Sequence, residues 1–181
     1  MPVVNFLSMN ATSEQVGNPG GIRKLLRAQV RSIVGNWPAQ ADITDGEITN
    51  GPTMVALAKW AEYQCPDGSV EVSSEQQGNP GYQSFKHNVD FALAGFSKTI
   101  QKELAKDLNA GAVFIAEMND GTYVVMGSSD NPIYTKRTFK SGKKGNDPRG
   151  FTLKGEQDGF MWDILPLATA EVAALEITAI V

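Results

Sequence analysis

A single cysteine, Cys65, and a single histidine, His87, leave this 181-residue chain without the means for several kinds of chemistry. One cysteine excludes an internal disulfide framework and a cysteine-rich zinc site. One histidine, between Lys86 and Asn88 at the start of an apolar alternation, has no serine or cysteine elbow beside it, so it reads as a core or surface residue. Cys65 adjoins a turn, has no base placed beside it, and reads as an inert thiol. No stretch approaches the ~20 apolar residues of a spanning helix. The first residues, Met1 to Met9, lack a basic n-region, and a soluble chain made in the cytoplasm is expected. Charge of one sign is also lacking, since 16 basic against 20 acidic residues give a net charge of −4 and no overall case for nucleic acid or acidic membranes.

The charges that are present are segregated. Arg23, Lys24, Arg27 and Arg31 form one basic window, and Lys136, Arg137, Lys140, Lys143, Lys144, Arg149 and Lys154 form another in which Asp147 is the lone acid. Such a surface attracts copies of itself, although solvated strands and loops account for it equally well. The first window, if helical, would present a basic face to phosphates. Asp42, Asp45 and Glu47 cluster in a loop without EF-hand spacing. Gly142 to Gly145 is glycine-rich and basic but lacks the pattern of a phosphate loop. No catalytic, cofactor or metal residue emerges, and a non-enzymatic chain is expected.

The strongest structural signal is a hairpin. Asn119, Asp120 and Gly121 supply positive-φ positions between the runs Ala112–Met118 and Tyr123–Gly127. Val113 and Ile115 alternate with Phe114, Ala116 and Met118, and Tyr123 and Val125 with Val124 and Met126, so both faces are apolar and both need cover. A second sheet covers one face, and the other calls for a helix or another subunit, which makes Phe114 and Val125 candidate inter-subunit contacts. Phe96, Ile100, Leu104 and Leu108 recur every fourth residue, predicting a helix over 97–108 that lies on this hairpin.

Elsewhere, Val55–Gln64 and Ser69–Ser74 flank Pro66-Asp67-Gly68 and predict a second hairpin. Val89, Phe91 and Leu93 alternate as a strand, and Ile133–Lys140 and Phe151–Gln157 as two more, joined by a polar connector, 141–150, that projects into solvent or a neighbour. Ile22–Val34 fits a strand or a helix, 35–53 reads as a long loop, and Trp162 to Leu167 as a further strand. The organisation expected is an irregular arm over 1–21, one β-rich domain over 22–167, and an apolar tail over 168–181 that fits a helix, a strand or an arm. The fold class is mainly β with one α-helix, a β-sandwich or incomplete β-barrel flanked by that helix.

The order of these pieces, with Gly20 to Lys24 opening a strand, Asn119-Asp120-Gly121 followed by Val124 to Ser128, and Gly150 to Gly155 before a terminal apolar strand, resembles the tail tube proteins of tailed bacteriophages and the inner tubes of contractile injection systems. The resemblance covers about residues 20–166 and is one of order and texture. It implies a virion structural protein made in the host cytoplasm, a self-assembling subunit of stacked, usually hexameric rings around a DNA channel. Its implied partners are copies of itself and other tail or neck proteins, with DNA only as passing cargo and no membrane or cofactor. On this reading the loops 35–53 and 141–150, with Lys143, Lys144 and Arg149, bridge rings. The arm before Gly20 and the tail after Pro166 depart from the pattern. Two other classes compete: a different virion β-sandwich, such as a capsid decoration or tail-completion protein, and a binding module or enzyme acting on small molecules or nucleic acid.

Overall fold

The structure, a computed structural model, describes residues 20–179. In chain order the elements are β1 (Ile22–Gln29), β2 (Ile43–Thr44), β3 (Glu47–Ile48), β4 (Ala61–Tyr63), β5 (Glu71–Gln77), β6 (Ser84–Ala94), α1 (Lys98–Ala105), β7 (Ala112–Met118), β8 (Tyr123–Met126), β9 (Tyr134–Lys140), β10 (Gly150–Phe160), β11 (Leu165–Pro166) and α2 (Thr169–Ala174). They build a five-stranded sheet in the order β11-β8-β7-β1-β4, a four-stranded sheet in the order β5-β6-β10-β9, and the small pair β2-β3. This is the mainly β sandwich with a flanking helix that the sequence predicts. The arm lies outside the described residues except for Gly20 and Gly21.

β7 and β8 form the predicted hairpin, with Phe114 opposite Met126 and Ile115 opposite Val125. Both faces of the five-stranded sheet are buried within the chain. On one face Leu25, Phe114, Ala116, Val124 and Met126 meet Val89, Phe91, Phe151 and Leu153 of the other sheet. On the opposite face Leu26, Val113, Ile115 and Val125 meet Trp37, Ile48, Trp60 and Leu167. Residues 35–53 are largely irregular, as expected, but Trp37 and Ile48 within them, with Trp60 beyond, pack over this face. Trp37 donates from Nε1 to the Asn50 carbonyl at 2.7 Å, and its ring stands edge-on to Trp60 at 6.2 Å. This overturns the expectation that Phe114 and Val125 reach another subunit: both are enclosed in the protomer, at 0 % and 3 % exposure.

Three further expectations change. Pro66-Asp67-Gly68 does turn the chain, with the Ser69 N–H donating to the Pro66 carbonyl at 3.1 Å. The strands on either side, β4 and β5, nevertheless belong to different sheets, so the turn is a crossover and not a hairpin. The helix is shorter than the stripe predicted: Ser97 caps it by accepting from the Ile100 N–H at 3.1 Å, Leu104 is buried, and Phe96 and Leu108 are exposed. It closes one margin of the core between the sheets instead of roofing the hairpin. The ambiguous segment 22–34 is strand β1 followed by a short 3₁₀ turn, Val30–Ser32.

The described part of the tail is attached to the body. The Glu171 carboxylate accepts from the Gly51 N–H at 2.9 Å, and Ile177 bridges Trp60.

Candidate assembly surface

The two sheets differ in what their outer faces show. Sheet β5-β6-β10-β9 buries Val89, Phe91, Phe151 and Leu153 on one side, and alternation puts polar residues on the other. Gly155 in the middle of β10 lets Ile133 approach, since a Cβ there would lie 2.6 Å from Ile133 Cγ2. The polar side forms a shallow concavity of about 770 Å³ whose walls include Ser73, Asn88, Thr138 and Thr152.

Strand register aligns the charges on this face. Glu71 stands opposite Asp90, Asp90 opposite Lys154, and Lys154 opposite Lys136. One row across the sheet thus reads acid, acid, base, base from β5 to β9. Lys154 Nζ donates to Asp90 at 2.7 Å, and Lys86 Nζ to Glu156 at 2.7 Å. These bonds raise both lysines above their ordinary range and lower Glu156 below its own. Glu71 and Lys136 at the two ends have no ion-pair partner among the described residues. Like charges directly opposite each other in a sheet are destabilising, and this row holds two such neighbours.

Both edges of this sheet are open. β5 and β9 pair only on their inner sides among the described residues. Beside the β9 edge lies an aromatic shelf, with Phe139 5.1 Å from Phe96 and 5.0 Å from Phe151, on which Phe96 and Phe139 remain part-exposed. Lys143 and Lys144 stand on the exposed connector between β9 and β10, where their backbone N–H groups donate to Asp147 at 2.7 and 2.9 Å. Arg149 lies at its end, its carbonyl accepting from the Gly95 N–H at 2.8 Å.

The first basic window does not form a patch. β1 is an inner strand, Arg27 is buried against Asp107, and Arg23 and Lys24 flank Glu117 at 3.4 and 3.6 Å. A phosphate-tracking helix over these residues is thereby excluded. Asp42 is structural, accepting from the Ala39 N–H at 2.8 Å and from Asn50 at 3.2 Å. No group of three or more His, Cys, Asp or Glu suited to a metal ion occurs among the described residues. Cys65 is half-buried, and burial pushes its thiol up to about 11.

His87 is a core residue, stacked on Phe160 at 4.0 Å. Its Nδ1 accepts from the Gly127 N–H at 3.2 Å, which places the proton on Nε2, where it is donated to the Trp162 carbonyl at 3.1 Å. Burial holds this imidazole below the ordinary histidine range. The unfolded chain therefore takes up a proton at higher pH than the folded one, and stability is complete above about pH 6.5 and declines below it by up to about 1.4 kcal/mol per pH unit. Urea midpoints taken from pH 7 to pH 5 test this. His87→Gln is expected to lower the midpoint at pH 7 and flatten its slope, and an unchanged slope would assign the acid sensitivity to other groups.

Sequence reasoning names the basic connector but misses the surface itself, because the charge row exists only through register between strands distant in sequence. No family model matches the chain, and comparison with curated proteins and with solved structures finds none similar to it.

Proposed function

We propose that this chain is a virion structural protein, the self-assembling subunit of a phage-type tail tube, in which copies join edge to edge into rings that stack. The observation that carries this reading is the four-stranded sheet with two open edges of opposite charge. Its strands alternate in direction, so a β5 edge set beside the β9 edge of a second copy continues the sheet antiparallel. The charge row then repeats, with Lys136 of one copy next to Glu71 of the next. Like-charge neighbours that burden the single subunit gain opposite-charge partners in the assembly. An interface of this head-to-tail kind is heterologous and closes only as a ring or runs on as a filament. The polar outer face, whose central lysines are already paired with carboxylates, suits a wall past which DNA moves without adhering. Other tail or neck proteins are the remaining partners, the virion tail is the location, and no catalysis is assigned.

Negative-stain electron microscopy across a concentration series tests the reading with paired charge reversals. Lys136→Glu with Lys140→Glu is expected to disperse rings or tubes, as is Glu71→Lys with Glu75→Lys. Mixing the two variants is expected to restore mixed assemblies, because each supplies the edge that complements the other. Wild-type protein that stays dispersed at every concentration would instead favour a decoration protein or a binding module that uses the polar concavity.

A further inference from the structure

The open edges of the four-stranded sheet match each other in more than net charge. On the polar face the two glutamates of β5, Glu71 and Glu75, stand four residues apart, and so do the two lysines of β9, Lys136 and Lys140. All four are exposed, and none has an ion-pair partner among the described residues. On the core face, Val72 is half-buried at one edge, and Phe139 is 42 % exposed beside Phe96 at the other. A one-residue slip would exchange the two faces, so joins that keep polar against polar differ by steps of two residues. Three such joins set an acid against a base. The level join puts Glu71 opposite Lys136 and overlaps the strands only over 71–73 with 136–134, and the most displaced puts Glu75 opposite Lys140 and overlaps only 75–77 with 140–138.

We propose that neighbouring copies meet in the third register, offset by four residues from level, with Glu71 opposite Lys140 and Glu75 opposite Lys136. This join rests on the tube reading and specifies its contact. All 7 residues of β5 then face all 7 of β9, and both glutamates meet lysines. Val72 comes opposite Phe139, so the apolar margin of one copy covers the aromatic shelf of the next. Further along the same face Ser74 and Gln76 come opposite Arg137 and Thr135, polar against polar. The offset also suits closure. Within a subunit the row Glu71, Asp90, Lys154, Lys136 is level, so the whole stagger falls at the join: four residues for every four strands. One residue of stagger per strand is the ratio of the eight-stranded barrel of shear 8, whose strands tilt by about 36°. A sheet closed with no stagger would leave its strands along the axis, whereas closed barrels tilt them by about 35–45°.

Cysteine pairs in a Cys65→Ser background test the register. Ser73 comes opposite Thr138 in the offset join and opposite Tyr134 in the level one. Directly opposed residues lie within disulfide reach, and the competing position is about 13 Å away along the strand. Mild oxidation of assembled protein is expected to give disulfide-linked ladders from Ser73→Cys with Thr138→Cys and single chains from Ser73→Cys with Tyr134→Cys. Glu75→Lys with Lys136→Glu exchanges a facing pair and is expected to keep assembly. Glu71→Lys with Lys136→Glu sets like charges face to face twice and is expected to raise the concentration needed for assembly by about tenfold. Ladders from the Tyr134 pair, or the opposite ranking of the two charge exchanges, would overturn the offset in favour of the level join while the tube reading stands. Rings in which neither cysteine pair links would overturn it too, by removing these edges from the contact. Wild-type protein that forms no rings or tubes under the electron microscope removes the tube reading and this join together.

Discussion

Phe114→Asp is expected to yield no folded protein, and Phe114→Ala a folded one that is less stable by about 3–5 kcal/mol. Phe114 is fully enclosed, with Phe91 at 6.1 Å on one side and the Arg27 guanidinium 5.8 Å from its ring centroid on another. Truncation removes ring contacts from both sheets at once and leaves a cavity between layers that strand pairing holds apart, so the site collapses little. An aspartate in the same place buries a second carboxylate among apolar rings, near a guanidinium already paired with Asp107, and its desolvation is large against a total domain stability of about 5–15 kcal/mol. Urea unfolding followed by circular dichroism reads the alanine variant, and soluble expression reads the aspartate variant. A folded, dissociated Phe114→Asp subunit would return Phe114 to an intermolecular surface.

Arg27→Ala is expected to cost about 3–5 kcal/mol at pH 7 and noticeably less at pH 5. The Arg27 guanidinium is hydrogen-bonded to the Asp107 carboxylate, with the Tyr63 hydroxyl 3.1 Å away on the same nitrogen, and both charged groups are buried. Burial outweighs the attraction of Arg27 and already holds Asp107 above the ordinary carboxyl range. Without Arg27 that displacement grows. A carboxyl whose folded pKa exceeds its unfolded value favours folding at low pH, and the advantage is lost as pH rises through the folded pKa. The variant should therefore be more stable at pH 5 than at pH 7, opposite in sign to the His87 contribution. Arg27→Met with Asp107→Leu removes both charges and is expected to recover most of the loss. Arg27 Nε and Nη2 and Asp107 Oδ2 have no partner among the described residues, so the pair's desolvation is incompletely offset. Should the double variant be as unstable as the single one, the loss comes from packing against Phe114 and not from stranded charge.

What the sequence makes legible is what neighbours in sequence decide. Asn119-Asp120-Gly121 between two β-branched runs specifies a hairpin because its strands pair with each other. Pro66-Asp67-Gly68 carries an equally clear turn signal, yet a turn signal reports reversal and not partnership, so β4 and β5 part into different sheets. The cover over Leu26 and Ile115 is invisible for another reason: Trp37, Ile48 and Trp60 stand far apart among glycines and prolines with no period to join them. Arg27 reads as surface charge because its partner, Asp107, is 80 residues away. The candidate surface suffers likewise, since the Glu71–Asp90–Lys154–Lys136 row draws one residue from each of four strands.

The position of β1 between β4 and β7 sets the schedule on which this chain matures at the ribosome. Leu25 and Leu26 point to opposite faces and are both buried only when the sheet is complete, yet β7 is made about 90 residues after β1, on the order of 5–20 s later at typical elongation rates. β4, which arrives earlier, offers only three residues of pairing. For nearly half of synthesis the first strand is therefore an adhesive segment with an unfilled edge, and the β7–β8 hairpin, whose contacts are local, is the piece able to form as soon as it emerges and capture it. Until β7 arrives, that unfilled β1 edge is a pairing site open to the same strand of a neighbouring nascent chain.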